Sequence, residues 1–231
     1  MAIFETNFAR GLLALFLVAL LFAPAVLPFF WMDVLNRILI AVIAATGLNI
    51  LTGFTGQISM GNAAFLAVGA YSTAYYAGKL GLPFPIVIPL SGITAALVGM
   101  IFGVPSLRLK GPYLAIATLG FGTAVYQTFA NVESFSGGRA GLAIPPLSPP
   151  FGLPRDGWVY CLYFALFLAF TAMAYNLVSS FVGRAFVAIR DSDIAAEAPG
   201  GNLAPYTLPA FRVSSFYTGG QGALLAQYLG P

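Results

Sequence analysis

The chain has 231 residues, of which 59% are hydrophobic and only 7% are charged, and its formal net charge is +3. Charged residues make up about 25% of an ordinary soluble domain, so this composition excludes a soluble globular protein, a disordered chain and a nucleic-acid-binding module. A helix needs about 20 residues to cross a bilayer, and the uncharged runs are long enough to supply them at 11–32, 38–78, 80–107, 111–132 and 157–183. The sequence therefore predicts an all-α fold, a polytopic transmembrane helix bundle.

We predict about seven membrane spans, which lie near 11–30, 38–52, 58–78, 85–104, 111–130, 158–179 and 208–229. The uncharged run at 38–78 is too long for a single helix. The glycines and polar side chains of its middle part predict a broken or re-entrant segment near 52–57. Because non-helical backbone within a membrane must be enclosed by protein or line a water-filled cavity, this segment is the first indication of a path for a solute.

The distribution of arginine and lysine predicts the orientation of the chain. If the amino terminus is cytoplasmic, the two close pairs of basic residues, at 108/110 and 184/190, both lie on the cytoplasmic side. Cytoplasmic loops of membrane proteins carry an excess of such residues. We therefore expect a multi-pass protein with its amino terminus in the cytoplasm.

The span at 85–104 carries a small residue at every fourth position, namely Ser91, Ala95, Gly99 and Gly103. Residues with this spacing share one face of a helix and allow a second backbone to approach closely. We expect this face to be a site of helix–helix contact.

Several kinds of chemistry are excluded by what the sequence lacks. It has no histidine, and neither lysine is followed by the serine or threonine of a phosphate-binding P-loop. All seven acidic residues lie outside the proposed spans, which removes the usual site for a coupling proton or sodium ion. Cys161 has no partner for a disulfide and is expected to be a buried residue between helices. The sequence predicts no enzyme, metal site or cofactor. If the protein moves a solute against its gradient, the energy would have to come from a partner.

Neutral polar side chains cluster around the predicted break. Asn49, Gln57, Ser59 and Asn62 are set among glycines. Amide and hydroxyl groups can bind a polar or zwitterionic solute without burying a full charge. Hydrogen bonds between neighbouring helices would explain the same residues. The residues alone leave these two interpretations equally open.

A charged, alanine-rich stretch at 183–200 differs from the rest of the chain. Its helical spacing places Ala185, Ala188 and Ser192 on one face of small residues. One interpretation is a solvated cytoplasmic loop helix. The other is a short helix that lies along the membrane and binds another protein.

From about residue 47 to residue 230, the sequence resembles the M-type permease of branched-chain amino-acid importers of the ATP-binding-cassette class. The motifs that carry the resemblance are at 47–71, 107–119, 136–142 and 183–202. The resemblance implies a single permease domain over 1–231 with a cytoplasmic coupling segment at 183–200. The candidate substrate path consists of Asn49, Gln57, Ser59 and Asn62 together with Thr118 of the 107–119 motif. The resemblance also implies contacts with the ATPase by Gly183, Arg184, Arg190, Ala196, Glu197, Ala198 and Gly200.

The same resemblance implies a location in the bacterial inner (plasma) membrane and a set of partners. These are a second related permease, ATP-binding-cassette ATPase subunits, a periplasmic solute-binding protein and the lipid bilayer. The expected cargo is leucine, isoleucine and valine. A permease for urea or short amides remains an alternative, as does a channel-like or structural membrane subunit that is not coupled to ATP.

The sequence departs from the family pattern near its carboxyl end. Pro199, Pro205 and Pro209 fall in and after the coupling segment, and each is expected to disturb a helix because proline lacks an N–H group. The chain stops at Pro231, whereas members of the family continue through further spans. It is therefore expected to be a fragment or a truncated member.

Overall fold

The computed structural model describes residues 7–106, 109, 111–138, 141–147, 149, 154–191 and 204–230. Within these ranges the chain forms helices and no strand, which confirms the predicted all-α class. The α-helices are α1 (Asn7–Val26), α2 (Phe29–Asn49), α3 (Asn62–Thr73), α4 (Phe84–Ser106), α5 (Pro112–Asn131), α6 (Glu133–Ser136), α7 (Arg155–Ser179), α8 (Phe181–Asp191) and α9 (Ala204–Leu229). Two π-helical turns, Ile50–Phe54 and Ala74–Lys79, continue α2 and α3.

Three of the described helical segments are long and apolar enough to cross a membrane, namely Phe29–Phe54, Phe84–Pro105 and Arg155–Ser179. Gly11–Val26 is a shorter apolar helix. The chain is thus a multi-pass membrane protein, whereas the expected number of about seven spans stays a prediction. Of the other helices, α9 is enclosed by its neighbours, whereas much of α5 is exposed.

The second span begins earlier than the sequence suggests. We expected it to start at 38, beyond the charge of Arg37, but α2 already begins at Phe29. Arg37 lies one helical turn after Asp33, and its Nε donates to a carboxylate oxygen of Asp33 at 2.9 Å. The expectation that no acidic residue lies within a span was therefore wrong for Asp33, and it was also wrong for Asp156 in the first turn of the apolar segment Arg155–Ser179. Because Asp33 and Arg37 form an i,i+4 ion pair, neither charge is unpaired within the span, where an unpaired charge would be costly.

Helix α9 lies at the centre of the bundle, against α2, α3 and α4. Its glycines allow the close approach of the neighbouring backbones. A methyl group added at Gly219 would overlap Ala95 of α4, and one added at Gly69 of α3 would overlap the Gly219 backbone. A methyl group added at Gly99 would likewise overlap the Ser215 side chain. The predicted small-residue face of α4 is therefore confirmed as a helix contact.

Tyrosine hydroxyl groups tie the peripheral helices together. Tyr160 of α7 donates to the Leu20 carbonyl of α1 at 2.7 Å. Tyr163 of α7 donates to the Leu224 carbonyl of α9 at 3.2 Å. Both tyrosines are fully buried, so their rings fill the core while each hydroxyl group keeps an acceptor.

Two expectations about single residues were wrong. We expected Pro209 to disturb the helix at the entry to the last span, near 208. Instead α9 begins at Ala204 and continues through Pro209. Pro205 falls in the first turn of α9, where a missing N–H group costs little because that group has no acceptor within the helix. Cys161 is exposed on the outside of α7 and is not a buried residue between helices.

We expect Gly219→Ala to destabilise the bundle by about 1–3 kcal/mol, because its methyl group has no space beside Ala95. The matched control is Gly120→Ala on α5, where an added methyl group meets no atom within 4 Å. Thermal unfolding of the purified chain in detergent measures both changes. Equal unfolding temperatures for the two variants would contradict the close contact between α9 and α4.

Candidate functional site

The chain leaves α-helical geometry at the end of α2, as the sequence predicts. A π-helical turn at Ile50–Phe54 is followed by an irregular stretch that lasts until α3 begins at Asn62. We call residues 50–61 the broken segment. Its hydroxyl groups are satisfied locally: Thr52 donates to the Leu48 carbonyl at 2.8 Å, and Thr55 donates to the Leu51 carbonyl. The predicted range near 52–57 lies within it.

Contacts with α5 and α9 hold the far end of the broken segment. The Met60 N–H group donates to the Thr118 hydroxyl oxygen at 2.9 Å. Thr118 is buried and in turn donates to the Ala115 carbonyl at 3.0 Å within α5. The Asn62 side-chain oxygen accepts a hydrogen bond from Thr218 of α9 at 3.1 Å. Asn62 therefore makes a hydrogen bond between helices of the kind that the alternative interpretation expects, and Thr118 bonds α5 to the broken segment.

The other three residues of the predicted path differ in their surroundings. Ser59 is buried, and its hydroxyl oxygen accepts a long hydrogen bond of 3.4 Å from the Gly61 N–H group. Asn49 is exposed, and its side chain lies over Gly53, where a methyl group would overlap it. Gln57 is half-buried, and its Oε1 atom is enclosed without a hydrogen-bond partner among the described residues. Among the described residues, Gln57 is thus the member of this set with a buried acceptor that has no partner.

The sequence analysis missed a second polar cluster, on α9. Ser214 and Ser215 are buried, and neither hydroxyl oxygen has a hydrogen-bond partner within the part of the chain that the structure describes. Both lie about one turn from Thr218, which contacts Asn62. Adjacent serines in the middle of an apolar span were a signal that could have indicated them.

Helix α8 follows α7 after a sharp turn at Ser180. Gly183 fits there because a methyl group at this position would overlap the Val178 carbonyl. Phe186 is fully buried and anchors α8 to the bundle. Arg184 is exposed, donates to the Ser179 carbonyl at 3.3 Å and lies over the Phe181 ring at 6.0 Å. These contacts fix the direction in which α8 leaves α7.

Arg190, near the end of α8, connects this helix to the broken segment. Its Nη1 atom donates to the Gly53 carbonyl oxygen at 3.0 Å. The last carbonyl groups of a helix receive no hydrogen bond from an N–H group of the same helix, and they carry partial negative charge. A guanidinium group therefore binds well at this place. Gly56 has φ of 71°, and a methyl group there would lie 3.1 Å from Cγ of Arg190. The structure thus joins two predicted sets that the sequence treated separately.

The remaining predicted contacts with the ATPase are at Ala196, Glu197, Ala198 and Gly200, and they lie outside the described residues. Pro199 and Ser192 lie outside them as well. Gly183, Arg184 and Arg190 are placed on α8. Among the described residues, no group of three or more histidine, cysteine, aspartate or glutamate side chains could hold a metal ion.

The fold and these contacts define a polytopic α-helical membrane protein with a broken helix and an amphipathic helix beside it. The family described as "Branched-chain amino acid transport system / permease component" matches residues 30–231. The chain belongs to this family, which confirms the resemblance stated from its motifs.

Relatives of known description are similar over most of the chain. The high-affinity branched-chain amino acid transport system permease protein LivM of Escherichia coli (strain K12) is 34% identical over 92% of this chain. The protein of the same description from Salmonella typhimurium is 33% identical over 92% of it. The probable LivM permease protein of Methanocaldococcus jannaschii is 27% identical over 62% of the chain and 42% of its own length. The chain spans 57% of the length of the first two. No solved structure matches it.

We expect Thr118→Ala to loosen the broken segment, because the Met60 N–H group loses its acceptor at a net cost of about 1 kcal/mol. Hydrogen exchange at the Met60 amide should become about five-fold faster, which is the rate change that this energy allows. The control is Thr123→Ala, whose hydroxyl group donates only to the Gly120 carbonyl of its own helix. Unchanged exchange at Met60 in the Thr118 variant would contradict the contact.

Proposed function

We propose that the chain is part of the membrane-spanning permease subunit of an ATP-binding-cassette importer, which moves branched-chain amino acids across the bacterial inner membrane. The family model supports this proposal because it describes a permease component of a branched-chain amino acid transport system. The names of the relatives from Escherichia coli and Salmonella typhimurium support the same cargo. Residues 1–231 then belong to one permease domain.

The observation that carries the proposal is the contact between α8 and the broken segment. ATP chemistry needs another chain, because neither lysine lies in a P-loop. A movement imposed on α8 from outside would reach Gly53 and Gly56 through Arg190. A passive pore has no need of such a link. Helix α8, continued by the segment to residue 200, is therefore the part of the chain that contacts the ATPase.

In this arrangement α8 faces the cytoplasm, and so does the amino terminus. The partners are a second related permease and ATPase subunits, with a solute-binding protein on the opposite side of the membrane. The basic residues Arg184 and Arg190 of α8 agree with a cytoplasmic location. The catalytic step of ATP hydrolysis belongs to the partner chains, and this chain acts as a transport subunit.

The solute path runs beside the broken segment. Gln57 contributes its unused Oε1 acceptor to a passing ammonium or amide group. Ser59, Asn62 and Thr118 hold the segment in shape, and Asn49 covers Gly53 at the end of α2. In this proposal a change in the conformation of the broken segment moves the Gln57 Oε1 atom relative to the solute. Transport thereby depends on the position of α8.

The test is uptake of radiolabelled leucine by vesicles that contain the importer complex with this chain. We expect ATP-dependent uptake, loss of uptake when the ATPase subunits are omitted, and no competition by urea. Gln57→Ala should lower uptake about ten-fold, which corresponds to the loss of one hydrogen bond to a charged group. Competition by urea would favour an amide permease, and uptake that persists without the ATPase would favour a channel.

A further inference from the structure

The end of the bundle opposite α8 contains a cavity of about 330 Å³. The first turns of α2 and α7 and the last turn of α9 enclose it. Helix α7 begins at this cavity with Arg155 and ends beside α8 with Ser179, so the two sites are separated by the length of a 25-residue helix. We propose that this cavity binds a zwitterionic amino acid with an aliphatic side chain before it reaches the broken segment. This inference rests on the proposed function, whose substrate site it specifies.

Two of the four charged side chains that line the cavity already satisfy each other. Asp33 accepts from Arg37 at 2.9 Å and also accepts a hydrogen bond from the Tyr228 hydroxyl group. The Arg37 guanidinium group lies 5.6 Å from the centre of the Tyr228 ring. This cluster joins α2 to α9 and forms one wall of the cavity. Its charges are used within the protein.

The other two charged side chains are available to a ligand. Arg155 and Asp156 are adjacent in the first turn of α7, are exposed, and form no ion pair with any residue in the described ranges. The guanidinium group of Arg155 suits a carboxylate, with which it can form two parallel hydrogen bonds. Asp156 suits an ammonium group. A ligand with a single charge would be attracted by one of these two side chains and repelled by the other. A zwitterion can pair with both.

A buried amide gives the second, independent indication of a ligand. Asn36 of α2 is only 5% exposed and lines the cavity, and its Oδ1 atom has no hydrogen-bond partner within the described residues. An unsatisfied buried acceptor costs about 1–3 kcal/mol, and an N–H donor of a bound molecule would recover this energy. An ammonium group carries three such donors. Asn36 and Asp156 would therefore bind the positive end of the ligand.

The rest of the wall indicates the chemistry of the side chain. Phe29, Met32, Leu147 and Val159 contribute apolar surface beside the polar groups. The nearby Gln227 is buried and donates to the Pro145 carbonyl at 2.9 Å, so it holds the loop that carries Leu147. The cavity volume lies at the lower end of the range of about 300–1,000 Å³ that is typical of small-molecule sites. A small aliphatic amino acid fits this combination, whereas urea offers neither charge nor apolar surface.

The experiment is equilibrium binding of radiolabelled leucine to the importer complex in lipid nanodiscs, without ATP and without the solute-binding protein. We expect Asn36→Leu and Arg155→Gln each to weaken binding at least about ten-fold, as the loss of one charge-assisted hydrogen bond implies. The matched controls are Asn131→Leu and Lys79→Gln, which change an exposed amide and an exposed cation outside the cavity. Both controls should bind leucine like the wild type.

Competition with two analogues tests the need for both charges. Neither 3-methylbutylamine, which lacks the carboxylate, nor 4-methylpentanoate, which lacks the ammonium group, should displace leucine. Thermal unfolding identifies a variant that fails to fold. If the buried change Asn36→Leu disturbs the core, the exposed change Arg155→Gln still tests the cavity. Displacement by either analogue would overturn the proposal of a zwitterion site.

The outcome separates this inference from the proposed function. If the wild-type complex takes up leucine and both cavity variants bind leucine as tightly as the wild type, the cavity proposal is overturned and the importer proposal stands. If the wild-type complex takes up no leucine, the importer proposal falls. Leucine binding that both variants weaken would still support the cavity site in that case.

Discussion

A chain that leaves helical geometry inside an apolar bundle must find partners for the backbone groups that the helix no longer satisfies. In this protein the break between α2 and α3 meets that constraint with side chains from distant parts of the sequence. Thr118 accepts from the Met60 N–H group, and Arg190 donates to the Gly53 carbonyl. The shape of the broken segment thus depends on α5 at one end and on α8 at the other.

The central position of α9 makes this arrangement possible. Its glycines bring α3 and α4 into backbone contact, and Tyr217 fills the space beside Gly47 of α2. Thr218 then reaches Asn62, where the broken segment ends and α3 begins. Helices held this closely move as a unit, because a packed interior transmits displacement with little compression.

Much of this fold follows from local patterns in the sequence. The uncharged runs locate the helices, the glycines at 53 and 56 locate the break, and the spacing from Ser91 to Gly103 locates a contact face. Each signal reflects physics that acts within one or two turns. The predicted start of α2 was too late because the sequence pattern treated Asp33 and Arg37 as unpaired charges, whereas they form an ion pair. Tyr228 of α9, which also bonds to Asp33, lies 195 residues further along the chain.

The candidate site was harder to predict for the same reason. Asn62 and Thr118 were selected as polar residues, but the sequence could not show that Asn62 is already bonded to α9 and Thr118 to the backbone of the broken segment. Gln57 and Asn36 are distinguished by an acceptor that has no partner in the described structure, and such a property exists only after folding. The link from Arg190 to Gly53 likewise spans 137 residues.

The central claim is that Arg190 transmits the movement of α8 to the broken segment. The most direct measurement is the number of leucine molecules transported per ATP hydrolysed by the reconstituted importer complex that contains this chain. For Arg190→Ala we predict that this ratio falls at least about ten-fold while ATP hydrolysis continues, since one charge-assisted hydrogen bond is removed. Arg212→Ala, which changes an exposed cation of α9, should keep the wild-type ratio. An unchanged ratio in Arg190→Ala would contradict the claim.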